Sequence, residues 1–470
     1  MRCGTHAPRP ALLPTGVATN YRHRHFRHAV TLATTLDELE ELAFEQLPAP
    51  RAWSPTTAGA AACGAWAARA GALRDELAAF QGASARRTAH HLFEHARAGV
   101  FVRVYAGALD RFVPFANAAF ENTWGVRPRE ARAGELPPHR WWSSGYTLCT
   151  RMPADVQSDK HLAALRDMLH HACARRELPD CEFFVNTRDA PVVRRDGLPP
   201  TPFVAPAAGA DSVPLLPVFS SYSGPRFFDV ACPLPSDWEY ATQQHLSRPP
   251  PLRHAADGVA WRDKSPACVW RGSLTGAGGT PGTNTRHLLA TLALPGLDAK
   301  LTGTNAARTK VEPGTGRLHA ADARAWPGAG RRHFVPLHEQ QRTCQFALVV
   351  DGHSAPDRLL PSLGGGQCVL RAASHAHVHG PRTWLDRALK PGTHFVPVGA
   401  SLEGLAQALQ MPADEARGFA LRARAFHDTF GSEDALLDWW EAALNAAPHR
   451  RCPSDDADVV PALPGASALE

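Results

Sequence analysis

Few architectures accommodate the run Phe346-Ala347-Leu348-Val349-Val350. Five consecutive apolar residues leave no face for water, so the segment reads as a strand covered on both sides. A loop, a short helix near Pro356 to Leu363 and the break Gly364-Gly365-Gly366 lead to a second apolar run, Cys368-Val369-Leu370. Strand, helix and strand in that order form a compact βαβ crossover, the building block of a parallel sheet. The same rhythm occurs upstream: Cys268 to Trp270, a Gly-rich loop, a helix from near Thr283 through Leu294, then Ala299-Lys300-Leu301. Helical segments around 412–430 and 433–446 close this half, and the Pro/Ser/Asp-rich sequence from Pro453 onward is expected to fray.

The first half is less regular. Acidic, helix-forming sequence from Leu36 to Gln46 and Ala-rich helical sequence from Ala62 to Ala96 read as an extension without evident chemistry. Val100 to Tyr105 and Arg111 to Phe115 alternate as a strand pair around Gly107-Ala108-Leu109-Asp110. Leu162, Leu165, Met168, Leu169 and Ala172 recur at helical spacing, followed by Pro179 and the apolar run Phe183-Phe184-Val185, a second α/β unit. Pro-rich sequence from Pro191 to Pro217, the short strand Val218-Phe219-Ser220 and a looser region from Pro233 to Pro266 place a domain boundary near 250. The expected organisation is a helical extension over 1–98, an α/β domain over 99–250, a second α/β domain over 251–450 and a tail over 451–470.

A net charge of +5 over 470 residues, with no basic tract, gives no reason to expect nucleic acid as a partner. Only five of the fifty basic residues are lysine, a skew matching a GC-rich coding bias, so each arginine needs its own local argument. No apolar run approaches the 18 or so residues of a transmembrane helix. The best N-terminal apolar stretch, Ala11 to Val17, is broken by Pro14, so no signal peptide is visible. The ten cysteines contain no C-x-x-C pair, which removes the main support for zinc-ribbon and thioredoxin readings.

In an open α/β sheet, ligands sit beyond the carboxyl ends of the strands. Two loops occupy that position. Arg271-Gly272-Ser273 opens a Gly-rich loop running through Pro281 and Gly282 to Asn284, Thr285 and Arg286. Its glycines permit close approach and Arg286 sits near the first turn of the next helix, but the P-loop lysine is missing. The second loop is Asp351-Gly352-His353-Ser354-Ala355-Pro356-Asp357-Arg358. Ser354 as N-cap with Asp357 three residues on predicts a helix start there, and Arg358 in the early helix could help hold a phosphate. Gly352-His353-Ser354 also resembles the opening of a hydrolase nucleophile elbow on Ser354, although Pro356 replaces its final glycine. A third segment, Asn186-Thr187-Arg188-Asp189, again follows a strand, and its carboxylate suits a general base. His375, His377 and His379 alternate without an accompanying carboxylate, so no metal is expected on them.

As an ordered set these segments resemble a known family. Phe183 to Pro191, Pro217 to Ser220, Val269 to Ser273 with Arg286, Val350 to Gly352 through Arg358, and Lys390 to Val398 follow the order of the capsule-associated-protein-ten glycosyltransferases, glycosyltransferase family ninety, which include the Rumi-like protein O-glucosyltransferases. The match covers about residues 180 to 420, roughly half of the chain. The resemblance implies a GT-B architecture: two Rossmann-like domains facing a cleft, the first binding acceptor and the second a nucleotide sugar. It further implies that Asp189 is the catalytic base beside Arg188. Ser273, Arg286 and the run His353, Ser354, Ala355, Pro356, Asp357 and Arg358 are then the contacts to a UDP-sugar donor. The expected activity is inverting transfer of a sugar of the glucose or xylose class to a hydroxyl on a protein or glycan, without a metal or other cofactor. Secretory location belongs to the same expectation, although the C-terminus carries no ER-retention signal. An inactive nucleotide-sugar or glycan-binding protein of this fold is the alternative. Ala190, Cys344-Gln345-Phe346 and the segment from Asp229 to Pro266 depart from the family pattern, so the donor side carries over better than the acceptor side.

Overall fold

The computed structural model describes residues 65–81, 85–92, 98–117, 146–147, 156–186, 191–195, 212–242, 259–276, 278–303, 309–311, 318–320, 333–352, 356–373 and 383–447. Two sheets organise them. Helices α1 (Ala70–Leu77) and α2 (Ala85–His91) precede β1 (Ala98–Tyr105) and β2 (Ala108–Asn117). The two strands form an antiparallel hairpin whose turn residues, Ala106 and Gly107, both have positive φ. Such a turn matches the twist of its strands. The sheet adds β3 (Tyr146–Thr147) and, after α3 (Val156–Arg175), β4 (Cys181–Val185), β5 (Val218–Ser220) and β6 (Val230–Ala231). Its order is β3-β2-β1-β4-β5-β6; β1 runs antiparallel to β4, whereas β4, β5 and β6 are parallel. Helix α4 (Pro235–Ala241) follows.

The second sheet begins with β7 (Ser265–Ser273), α5 (Thr285–Thr291) and β8 (Leu297–Gly303). A small hairpin of β9 (Thr309–Val311) and β10 (Leu318–Ala320) leads to α6 (Leu337–Thr343), β11 (Cys344–Val350), α7 (Leu359–Gly364), β12 (Cys368–Ala372) and β13 (Val396–Val398). Helices α8 (Leu405–Leu409), α9 (Ala413–Phe430) and α10 (Glu433–Ala446) end the described chain. The five strands are all parallel in the order β13-β12-β11-β7-β8. Numbered within the sheet this is 2-1-3-4-5, a doubly wound order whose connections leave β7 and β11 in opposite directions. The apolar run of β11 is buried throughout, as expected. Phe346, Leu348 and Val350 join a core with Leu289 and Leu405, while Val349 joins the other core with Leu359 and Ala423.

Helix α10 returns from the second sheet to the first. Trp439 and Trp440 are fully buried, and their rings lie 5.9 and 5.2 Å from that of Phe219 on β5. The acidic first half of α10 is pinned to the end of α3. Arg176 Nε donates to Asp438 at 2.6 Å, and Arg175 pairs with Glu433 and Asp434. Ser432 caps the helix by accepting from Ala435 N. Trp66 and Leu73, before the first sheet, belong to the same core, and Glu76 pairs with Arg387 beyond β12. The six described cysteines are free thiols, and burial pushes Cys173 and Cys368 up to about 12. Among the described residues, no helix is long and apolar enough to cross a membrane.

Candidate functional site

A crevice opens where neighbouring strands send their connections to opposite faces, and here that point lies between β7 and β11. The loops beyond these two strands are the Ser273 and Asp351 loops, so the strand order brings together two segments far apart in sequence. Their glycines let them approach closely: a Cβ on Gly276 would lie 3.4 Å from Gly352 O. A Cβ on Gly352 would lie 2.4 Å from Thr275 Oγ1, and one on Gly272 would lie 2.5 Å from the Trp270 ring. Neither approach tolerates a larger residue.

Arg286 ties the two strand ends to each other. Its Nε donates to Asp351 O at 2.9 Å, Nη1 to Ser273 O at 3.0 Å and Nη2 to Val350 O at 2.8 Å. Arg358 Nη2 donates to Arg271 O. Both guanidiniums lie over the fully buried Trp270, 5.8 and 6.0 Å from its ring centroid. Both side chains reach the surface in part, but their charged ends are desolvated. Burial, and then the neighbouring Arg358 charge, lowers Arg286 to about 9; burial also lowers Arg358. Neither guanidinium has an ion-pair partner among the described residues, in contrast to Arg271, which pairs with Asp298. Buried charge is normally matched by opposite charge. Two cations held by carbonyls and an aromatic ring, with Asp351 and Asp357 acting on them only through space, are chemically suited to an anion.

Asp351 stands beside them. Burial raises its carboxyl to about 6, against the pull of Arg371 and Arg286. Arg371 on β12 is paired with Asp386, Nη2 lying 3.1 Å from Oδ2. Asn284, the N-cap of α5, accepts from His287 N at 2.9 Å and donates to Thr275 O and Gly278 O, each at 3.2 Å, fastening the Gly-rich loop. An Asn immediately before a helical Thr-Arg-His run was a readable cap signal. Nothing local in the sequence announced the cluster on Trp270, because one partner arrives from α5 and the other from the turn before α7.

Ser273, Arg286 and Arg358 thus meet at one point. Pro356 is buried nearby and its carbonyl accepts from Leu359 N at 3.0 Å, while Asp357 is exposed. His353, Ser354 and Ala355 lie outside the described residues, as do Arg188, Asp189, His375, His377 and His379. The expected helix start at Ser354 is corrected: α7 begins at Leu359 with Arg358 as N-cap. A turn at Asp357 and Arg358 precedes it, and there the long Arg358 side chain reaches the β7 carbonyl instead of continuing a helix.

Parts of the two sheets adjoin at this end. A 3₁₀ turn, Trp384–Arg387, follows β12. Its Arg387 Nη1 donates to Ala231 O at the end of β6 at 2.9 Å, and Trp384 Nε1 donates to Asp237 Oδ2 on α4 at 2.7 Å. Asp237 is fully buried, which raises its carboxyl to about 7, and the charge of Asp357 adds to that rise.

Comparison with known proteins takes in strands of both sheets. The model of glycosyl transferase family 90 matches residues 161–447. Uncharacterized protein 035R of Invertebrate iridescent virus 3 is 28% identical over 404 residues, 76% of this chain and 36% of that protein. Uncharacterized protein 027R of Frog virus 3 (isolate Goorha) is 29% identical over 415 residues, 78% of this chain and 42% of the viral one. The chain thus spans about two-fifths of the length of these curated relatives.

Proposed function

We infer from membership of glycosyl transferase family 90, to which this chain belongs, that it transfers a sugar from a UDP-sugar to a hydroxyl on a protein or glycan, with inversion at the sugar carbon. The observation that carries the donor assignment is the pair of desolvated guanidiniums, Arg286 and Arg358, at the switch point between β7 and β11, with no carboxylate partner among the described residues. A diphosphate supplies the missing negative charge. Ser273 and the run His353, Ser354, Ala355, Pro356, Asp357 and Arg358 complete the donor contacts in this reading. Sugars of the glucose or xylose class fit the resemblance to Rumi-like enzymes. The GT-B arrangement, with the first sheet on the acceptor side, is part of the same proposal and is supported by the contacts of Trp384 and Arg387 with the end of β6.

The chemistry balances with this chain's own groups. Asp189 takes the acceptor hydroxyl proton as that oxygen bonds to the sugar carbon. The bond from that carbon to the phosphate oxygen breaks, and the electron pair leaves on UDP. Arg286 and Arg358 meet the growing negative charge, a preorganised electrostatic stabilisation of the oxyanion-hole kind. They fill the place that a divalent cation on an Asp-x-Asp motif takes in other UDP-sugar enzymes, so the reaction proposed here is metal-independent.

Calorimetric titration with UDP, followed by assay of UDP release from UDP-glucose, UDP-xylose, UDP-galactose and UDP-N-acetylglucosamine without acceptor, tests the reading. Binding of UDP together with slow hydrolysis of at least one donor is expected. UDP binding with no hydrolysis of any donor favours the sugar-binding alternative, and failure to bind UDP overturns the donor assignment.

A further inference from the structure

A third charged group stands at the switch point: Asp351, directly after β11, whose carbonyl accepts from Arg286 Nε at 2.9 Å. Among the described residues its carboxyl group accepts no hydrogen bond and forms no ion pair. Three carboxylates elsewhere are placed differently. Asp229 accepts Val192 N at 2.8 Å, Val193 N at 2.7 Å and the Ser220 hydroxyl at 2.6 Å. Asp237 accepts Leu234 N at 3.1 Å and Trp384 Nε1 at 2.7 Å, and Asp386 accepts Arg371 Nη2 and Thr383 N. Those three hold parts of their own chain. Asp351 does not.

The charges around Asp351 act on it through space. Arg371 and Arg286 favour its ionised form and Asp386 opposes it. Arg371 pairs in register with Val349, so the two share a face of the sheet, and Val349 belongs to the core that contains Trp384 and Phe219. The charged neighbours of Asp351 therefore come from two directions. Arg286 comes from the donor loops, and Arg371 with Asp386 comes from the strand and turn that reach the first sheet.

A carboxylate beside a diphosphate site is unfavourable unless a hydrogen-bond donor comes between the two negative charges. An ionised carboxyl group accepts on both oxygens and donates nothing, so phosphate oxygens cannot serve it. Hydroxyls can, and a nucleotide-sugar diphosphate carries them at both ends, on its ribose and on its transferred sugar. Either ring is joined to the diphosphate by only a few bonds. A ligand seated on Arg286 thus brings hydroxyls close to the residue whose carbonyl Arg286 binds. Burial raises the Asp351 carboxyl only to about 6, so it is ionised for the most part at neutral pH.

We propose that Asp351 is a specificity residue of the donor site, accepting hydrogen bonds from ring hydroxyls of the bound nucleotide sugar, on the ribose or on the sugar to be transferred. The proposal rests on the assignment of the UDP-sugar site to Arg286 and Arg358. A site that pairs with a hydroxyl rejects the analogue lacking it, because its own polar group is then left without a partner.

Calorimetric titration of the wild-type protein, Asp351→Ala and Asp351→Asn tests this. The probes are UDP, the dideoxyribose analogue of UDP, and UDP-glucose, UDP-xylose, UDP-galactose and UDP-N-acetylglucosamine. Removing a negative charge beside the diphosphate strengthens every ligand alike, so ratios of affinities, not single affinities, report the hydroxyl contacts. If the ribose supplies the hydroxyls, the wild-type preference for UDP over its dideoxyribose analogue falls about ten- to a hundredfold in Asp351→Ala. If the transferred sugar supplies them, the affinity of the tightest UDP-sugar relative to UDP falls by that factor instead. Asp351→Asn keeps the size and one acceptor oxygen, so its ratios should lie between, and it carries the test should Asp351→Ala fail to fold. Both ratios unchanged in every variant that folds overturn the proposal. So does a loss of affinity for all the ligands by one common factor, which marks a damaged loop. A wild-type protein that binds none of them instead defeats the donor assignment, and the role of Asp351 falls with it.

Discussion

Beside the carboxyl ends of β4 and β5 a buried carboxylate, Asp229, is ringed by donors, whereas beyond the carboxyl ends of β7 and β11 two guanidiniums, Arg286 and Arg358, are ringed by carbonyls. The two places are alike in topology and opposite in sign. At Asp229 both oxygens already have partners, so the site can hold a segment of chain but has little left for a ligand. The arginines make no ion pair among the described residues, and the charges of Asp351 and Asp357 reach them only through space, so in the proposed reading a bound diphosphate matches them. Both clusters fasten backbone, the first with a buried negative charge that is ringed by donors and the second with two positive charges that no ion pair among the described residues offsets.

The largest expected effect is at Asp189, three residues beyond Asn186 in the sequence. Asp189→Asn preserves size but cannot accept a proton, so donor hydrolysis should fall by about 10²–10⁴-fold with UDP affinity unchanged. Near wild-type turnover would move the base elsewhere in the first-sheet region.

Next in size is the joint between the regions. Trp440 is fully buried, 5.7 Å from the Phe183 ring on β4 and 5.2 Å from that of Phe219. Trp440→Ala should lower stability by about 3–5 kcal/mol in urea unfolding, because the cavity left behind adds to the lost burial. A loss no larger than that of an exposed substitution such as Leu421→Ala would show that α10 does not join the two regions.

On the cationic side, Arg358→Ala should weaken UDP binding by about ten- to a hundredfold, the size of a lost charge-assisted bond. Arg286→Ala should do the same and lower Tm as well, since Arg286 also ties three carbonyls across β7 and β11. Unchanged UDP affinity in both variants would remove the donor site from the switch point.

The smallest effect concerns Asp237, where the two regions meet. An unfolded Asp ionises near 4, whereas burial holds this one protonated up to about 7. Between those values the unfolded chain has released a proton that the folded chain keeps, so stability declines as pH rises through this window and is lowest above it. Asp237→Asn keeps an oxygen for Leu234 N and Trp384 Nε1. It should therefore raise Tm by a few degrees at about pH 8 and not at about pH 4. An equal change at both would show that titration of Asp237 is not the cause.

Much of this was legible in the chain. The run of β11, the strands at Phe183 and Val218 and the helices over 413–430 and 433–446 follow from apolar patterning, because each signal lies within one segment. The start of α7 was not. Ser354 and Asp357 are a sound local cap signal, yet the helix begins at Leu359, where Arg358 reaches a carbonyl 87 residues away. Asp229 escaped notice for the same reason: its amide partners are 36 and 37 residues distant, and no pattern within a window connects them.

The sequence by itself determined the βα alternation, the glycines that let two loops approach, and the order of the motifs that mark the family. Only the tertiary structure decided which strands are neighbours. Setting β7 between β8 and β11 brings Ser273, Arg286 and Arg358 around Trp270 and holds two guanidiniums on backbone carbonyls, with Asp351 and Asp357 acting on them only through space. Strand pairing is settled by burial shared among segments far apart along the chain, whereas composition and periodicity report only on residues a few positions apart.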